Sequence, residues 1–194
     1  MFTPSSTYRW QFSKDFTFRE AFSLIGYLGD LGISTVYASP ILQAYPGSNH
    51  GYDVTNFRAI NPELGTIKDL QVLLEGLQEK GISWLQDIVP NHMSFSAHNK
   101  MLWDVLKKGT ASEYAVFFDI DWEHPLFGGR LCVPLLDKPL HELIQADQFS
   151  LSFSDEGFSI SYGTRSFPLN KESAQFLLTG YFPFDPGLEK IKPF

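Results

Sequence analysis

Asp87-Ile88-Val89-Pro90-Asn91-His92 is the stretch on which the reading of this chain turns. An apolar run from Trp84 to Val89 carries a carboxylate into its C-terminal half. Proline has no amide to donate to a ladder, so it stops the strand that the run predicts. An amide and an imidazole follow at once. Asp87, Asn91 and His92 thereby stand where a parallel strand empties into a loop, the face that carries chemistry in α/β barrels. Charge-assisted hydrogen bonds from such groups suit the hydroxyls of a sugar. The plainer alternative is an Asp that caps a loop beside an exposed His.

Upstream, the strand is preceded by a helix with a capping box. Thr66 and Asp69 satisfy orphan amides at its start. Leu70, Leu73, Leu74 and Leu77 supply one apolar face, and Gly81 ends the helix before a strand over Ile82–Val89. The same unit stands earlier in the chain. Thr17-x-x-Glu20 opens a helix whose face is Phe18, Ala21, Phe22, Ile25 and Leu28; Gly32 closes it, and Ile33–Ala38 reads as a buried strand. Gly32-Ile33-Ser34 and Gly81-Ile82-Ser83 occupy equivalent places. With a first strand over Thr7–Phe12, the order is β-α-β-α-β, which predicts parallel strands with right-handed crossovers. Residues 39–65 read as a loop. No Gly-x-Gly-x-x-Gly follows a strand, which lowers the dinucleotide-binding version of this order.

That loop holds a second candidate group, Tyr45-Pro46-Gly47-Ser48-Asn49-His50-Gly51-Tyr52-Asp53-Val54. Tyr52 offers an apolar face with a polar tip, suited to stacking on a pyranose ring. His50 and Asp53 are hydrogen-bonding groups beside it. The alternative is a Gly-rich turn whose Tyr packs inward.

The texture changes after residue 93. A short helix is predicted over Leu102–Lys108. Gln148–Phe153 and Gly157–Tyr162 alternate around a Ser154-Asp155-Glu156-Gly157 turn, which predicts a hairpin with Phe149, Leu151, Phe153, Phe158, Ile160 and Tyr162 in apolar rows. Phe182-Pro183-Phe184-Asp185-Pro186-Gly187 reads as turn-rich.

Composition narrows the function classes. At 194 residues the chain is shorter than a complete (β/α)₈ barrel, which needs roughly 250. A net charge of -7 argues against nucleic acid. No run approaches the roughly 20 apolar residues of a membrane span. The start Met1-Phe2-Thr3-Pro4 predicts no secretory signal, and a lone Cys132 fits a reducing cytoplasm. Aromatics are plentiful, with 18 Phe, 8 Tyr and 4 Trp, most of them expected in the core.

Taken together, the blocks resemble a family. Thr7-Tyr8-Arg9-Trp10-Gln11-Phe12, Tyr37-Ala38-Ser39-Pro40, Gly47 to Val54, Asn61-Pro62-Glu63-Leu64-Gly65 and Asp87 to Met93 are similar to the maltooligosyltrehalose synthases of the α-amylase family. So are Tyr114 to Trp122 and Val133 to Leu140, and the resemblance runs from residue 7 to about 170. The Asp87 block is shared across the α-amylase family. The Gly47–Asp53 loop and the Phe117-Phe118-Asp119-Ile120-Asp121-Trp122 run point to the synthase branch.

The resemblance implies an α/β fold: the first three strands of a (β/α)₈ TIM barrel in residues 1–92, then an incomplete inserted β-rich subdomain in 93–194. It implies a retaining mechanism that moves the reducing-end α-1,4 bond of a maltooligosaccharide to an α,α-1,1 bond, an isomerase of trehalose biosynthesis. Carried over, Tyr52 stacks under the sugar, His92 binds its hydroxyls, and Asp87 braces the site. Asn91 orders the loop, or holds calcium where a family member has it. His50 and Asp53 complete the substrate-binding set, no catalytic residue is assigned, and no cofactor is expected. The family's nucleophile pattern, Gly-x-Arg-x-Asp, has its nearest match in Gly163-Thr164-Arg165-Ser166-Phe167, with Phe in place of the carboxylate. His-Asp does not occur. The chain alone is therefore expected to be inactive, and to need the remainder of its enzyme or to self-associate through an open barrel edge that uncovers Ile33, Val36, Ile82, Leu85 and Val89.

Three other readings stay open. One is a fragment of another α-amylase-family hydrolase or glucanotransferase. Another is a non-catalytic glucan-binding module. The third is a metal-dependent hydrolase using His50, Asp53, Asp87 and His92, against which the absence of a His-Glu-x-x-His spacing counts.

Overall fold

The structure, a computed structural model, describes residues 3–180, so the Phe182–Gly187 stretch lies outside the described residues. The chain divides after Ser94 into two compact units.

The first unit runs β1 (Thr7–Trp10), α1 (Phe18–Ser23), α2 (Ile25–Asp30), β2 (Thr35–Ala38), β3 (Leu42–Ala44), β4 (Val54–Ile60), α3 (Ile67–Glu79) and β5 (Ser83–Gln86). β1, β2 and β5 form one parallel sheet in chain order. Consecutive strands that pair as neighbours with helical crossovers are the way a (β/α)₈ barrel begins. Register places Arg9 beside Tyr37, and Tyr37 beside Leu85.

Alternation along the strands sorts their side chains onto two faces. Trp10, Val36, Ala38 and Trp84 pack with Phe12, Phe18, Ala21, Ile25, Leu28, Leu70, Leu73 and Leu77 in one cluster between sheet and helices. Arg9 and Tyr37 belong to the opposite face, where the site lies. Both capping boxes form: Thr17 with Glu20, and Thr66 with Asp69. Asp69 also receives Arg19 Nε at 2.8 Å, which ties α1 to α3. The repeated glycines do the same work twice. Gly32 (φ 73°) and Gly81 (φ 68°) take the left-handed conformation at the helix ends. The next amides, of Ile33 and Ile82, then bond back to Leu28 and Leu77 carbonyls.

Three expectations change. The first helix is two six-residue helices that break at Leu24, whose amide turns to the Ala21 carbonyl while Ser23 Oγ bonds the Glu20 carbonyl at 2.6 Å. Such back-bonding competes with the helix ladder, and Phe22 is left exposed rather than on the buried face. Residues 39–65 are not simply a loop, because β3 and β4 pair antiparallel inside them. The polar residues of Val54–Ile60 and a register shift in β3 hide that hairpin from an alternation test. The run from Trp84 to Val89 is not buried throughout: Leu85 is 50% and Ile88 65% exposed. Among the described residues β5 is an edge strand that pairs only with β2. Val36, Ile82 and Val89 are nonetheless buried, so of the residues expected to lose cover Leu85 is the one that is strongly exposed.

The second unit contains α4 (Lys100–Lys108), α5 (Leu140–Gln145), β6 (Phe149–Ser154), β7 (Gly157–Tyr162), β8 (Arg165–Pro168) and α6 (Lys171–Gly180). β6, β7 and β8 form an antiparallel sheet. Phe149, Leu151 and Phe153 stand opposite Tyr162, Ile160 and Phe158. Lys100 Nζ meets Glu156 Oε1 at 2.9 Å and so ties α4 to the β6–β7 turn. The Gly163–Phe167 run is the β7–β8 turn and strand β8. Phe167 pairs with Ile160, and its ring lies 6.0 Å from Phe95. It forms part of an antiparallel sheet, not a parallel strand end.

Candidate functional site

Three side chains converge on one carboxylate: Arg9 from β1, Tyr37 from β2 and Tyr52 from the segment joining β3 to β4. Asp87 follows β5 directly, and its amide bonds the Ala38 carbonyl at 2.9 Å, which continues the ladder one residue past the strand. Its Oδ2 accepts the Tyr52 hydroxyl at 2.5 Å and the Tyr37 hydroxyl at 3.0 Å, with Arg9 Nη1 at 3.5 Å. Arg9 Nη2 donates to Tyr52 Oη at 3.3 Å and to Gln11 Oε1 at 3.0 Å. The guanidinium carbon lies 4.7 Å from the Tyr37 ring centroid. Two phenol donors and a guanidinium at one oxygen favour the ionised carboxylate. The Tyr52 hydroxyl above all, then Tyr37 and Arg9, hold the Asp87 carboxyl below its usual value. The same bond to Asp87 raises the Tyr52 phenol. The Asp87 side chain is 14% exposed, so these bonds compete little with water.

Tyr52 reaches the strand ends because the segment joining β3 to β4 folds back over them. Gly51 has φ 75°, and a Cβ there would lie 2.8 Å from the Pro40 carbonyl oxygen, so backbone conformation and close approach both require glycine. Ser48 Oγ accepts the Gly51 amide at 3.1 Å and donates to Asp53 Oδ1 at 2.5 Å. Glu63 accepts the Gly47 amide at 2.9 Å. His50 Nδ1 accepts the Tyr52 amide at 3.0 Å. The same nitrogen lies 3.8 Å from Asp53 Oδ1, beyond hydrogen-bond reach.

Of the residues singled out from sequence, Tyr52 and Asp87 come together directly. His50 and Asp53 adjoin Tyr52 in its loop, where they organise the backbone. Asn91 and His92 lie in the segment after β5 and stand apart from this network. Both are exposed, and His92 Nδ1 lies 3.1 Å from Asn91 Oδ1. The four ligand types of the metal reading do not converge, and among the described residues no three His, Cys, Asp or Glu are placed to hold a metal ion. Among the same residues no helix is long and apolar enough to cross a membrane.

Arg9 and Tyr37 were not singled out from sequence, although both lie inside the quoted motifs. The signal was available. Arg9 precedes the core residue Trp10, and Tyr37 stands between the core residues Val36 and Ala38, so strand alternation puts each on the face opposite the core. Strand register alone makes them neighbours.

Comparison with known proteins places this geometry in context. A family model described as "Alpha amylase, catalytic domain" matches residues 21–135. A Mycobacterium tuberculosis protein assigned as a maltooligosyl trehalose synthase is 49% identical over 123 residues, which is 62% of this chain and 16% of that protein. The solved maltooligosyltrehalose synthase of Arthrobacter ramosus superposes with a TM-score of 0.74 at 38% identity, over 87% of this chain and 21% of its own. A second solved maltooligosyl trehalose synthase gives 0.78 at 37% identity, over 86% and 22%. The chain thus spans between a sixth and a quarter of the length of these relatives.

Proposed function

The chain belongs to the α-amylase family, and from that premise we propose that it is the part of a maltooligosyltrehalose synthase-like enzyme that supplies the first three barrel strands and the floor of the sugar site. The observation that carries the reading is Tyr52, hydrogen-bonded to Asp87 at the C-terminal end of the parallel sheet. A ring fixed at its hydroxyl tip keeps a face free for a pyranose. In this reading Tyr52 stacks under the glucosyl unit whose bond breaks, Asp87 braces it, and His92 and Asn91 meet hydroxyls from the loop after β5. His50 and Asp53 shape the Tyr52 loop. The reaction of the whole enzyme would transfer the reducing-end glucose from an α-1,4 to an α,α-1,1 linkage with retention. Residues 1–92 would belong to the barrel and 93–194 to an inserted subdomain. The substrate is a maltooligosaccharide, and the cytoplasm is the compartment that a lone exposed Cys132 suits.

Maltopentaose is expected to bind the purified chain, and Tyr52→Ala to weaken that binding about 60-fold. One ring face covers roughly 100 Å² of apolar surface, worth about 2.5 kcal/mol. Isothermal titration calorimetry checks this, and equal affinity in wild type and variant would rule the stacking role out.

The open edge of β5, with Leu85 and Ile88 exposed, is expected to promote self-association. Sedimentation velocity at rising concentration should show species larger than a monomer, reduced by Leu85→Lys. A monomer at every concentration would refute it.

A further inference from the structure

The donor arrangement around Arg9 goes beyond the residues so far assigned to the sugar site, and it rests on that site's being a glucan site. A guanidinium only donates. Since Arg9 Nη2 donates to Tyr52 Oη, the single proton of that hydroxyl is free to point at Asp87, and it does. The order Arg9 N–H to Tyr52 O–H to Asp87 leaves the tip of the ring one arrangement. The second hydrogen of Nη2 goes to Gln11 Oε1. Gln11 Nε2 in turn lies 3.4 Å from both the Asn49 and the His50 carbonyl oxygens. Two residues of the β1 segment, Arg9 and Gln11, therefore grip the Tyr52 loop at its backbone and at the end of its aromatic side chain. Tyr37 beneath the guanidinium limits where Arg9 itself can go.

We propose that Arg9 is the positioning residue of this site: from β1 it orients the Tyr52 ring toward the bound glucosyl unit, and Gln11 holds the loop that carries that ring. The role needs the forked, planar guanidinium. A lysine keeps the charge and has donors for two acceptors, but it lacks the planar fork that sets Nη2 on Gln11 and Tyr52 and Nη1 beside Asp87 while lying over the Tyr37 ring. That difference separates positioning from simple charge pairing.

The test compares the wild-type chain with Arg9→Lys, Arg9→Gln and Gln11→Ala. Three measurements are made on each: maltopentaose affinity by calorimetry, the Tyr52 ring resonances by NMR assigned with Tyr52→Phe, and the Asp87 carboxyl titration by ¹³C NMR. Both Arg9 variants should lose at least fivefold in affinity and shift the Tyr52 ring resonances. Asp87 should titrate at higher pH in Arg9→Gln than in Arg9→Lys, which keeps the charge. Gln11→Ala should weaken binding in the same direction, which keeps the proposal testable should Arg9→Gln fold poorly. Wild-type affinity and unmoved Tyr52 resonances in Arg9→Lys would overturn the proposal. Absence of maltopentaose binding in the wild type, with Tyr52 resonances still moved by Arg9→Lys, would support the hold of Arg9 on the ring and overturn the glucan reading alone.

Discussion

Incubated with maltohexaose, the 194-residue chain is expected to form no α,α-1,1-linked product and no glucose above the blank. Retaining glycosidase chemistry needs two carboxyl groups about 5–5.5 Å apart, one as nucleophile and one as acid/base. Asp87 is a carboxylate at the strand ends, but its Oδ2 is engaged by Tyr52, Tyr37 and Arg9. Its carboxyl is held below the usual value, so it carries no proton to give a leaving group. Asp53 is bonded to Ser48. The nearest match to the family's nucleophile pattern ends in Phe167, in the antiparallel sheet of the second unit. Catalytic groups that act as a unit lose nearly all of their effect together, on the order of 10⁶-fold in turnover. Chromatography of the incubation with a reducing-end assay checks this. Product that disappears in Tyr52→Ala would show that a working carboxylate pair exists in these residues.

Phe18→Ala is expected to cost about 3–5 kcal/mol, the range for a large aromatic deleted from a packed core. Phe18 has no exposed surface and packs edge-on to Phe12 at 5.3 Å. It also lies against Gly65, whose missing side chain leaves nothing on that side to move into the space. Domains of this size are stable by about 5–15 kcal/mol. The variant should therefore unfold at roughly 1.5–2.5 M less urea with an unchanged slope, taking the slope as about 2 kcal/mol per molar. A midpoint within 0.5 M of wild type, an order-of-magnitude margin on the same relation, would show that this cluster does not anchor the first unit. The site should suffer with it, because the sheet that sets Arg9 beside Tyr37 rests on these side chains.

Local chemistry in the sequence determined the framework of the first unit. Thr17 with Glu20 and Thr66 with Asp69 are complete capping boxes within four residues. Gly32 and Gly81 carry their own reason for a left-handed turn. The leucines of Ile67–Glu79 repeat at the helical period, so one face had to be apolar. The β6–β7 hairpin was legible for the same reason, since strict alternation and a polar turn are properties of a few consecutive residues. Tyr52 and Asp87 were legible as types suited to a sugar, each from its own neighbours.

What the tertiary structure decided were the relations between distant segments. The break at Leu24 and the exposure of Phe22 depend on which carbonyl each amide reaches. The β3–β4 hairpin is held by partners across an irregular register that no alternation records. Whether Leu85 and Ile88 are covered depends on neighbouring strands, not on their own apolarity. The Arg9–Tyr52–Asp87 assembly joins residues 43 and 35 positions apart. Sequence fixes side-chain type and local conformation, because those interactions act within a few bonds. Only packing of sheet against helices sets the ångström-scale distances on which a hydrogen-bonded site depends.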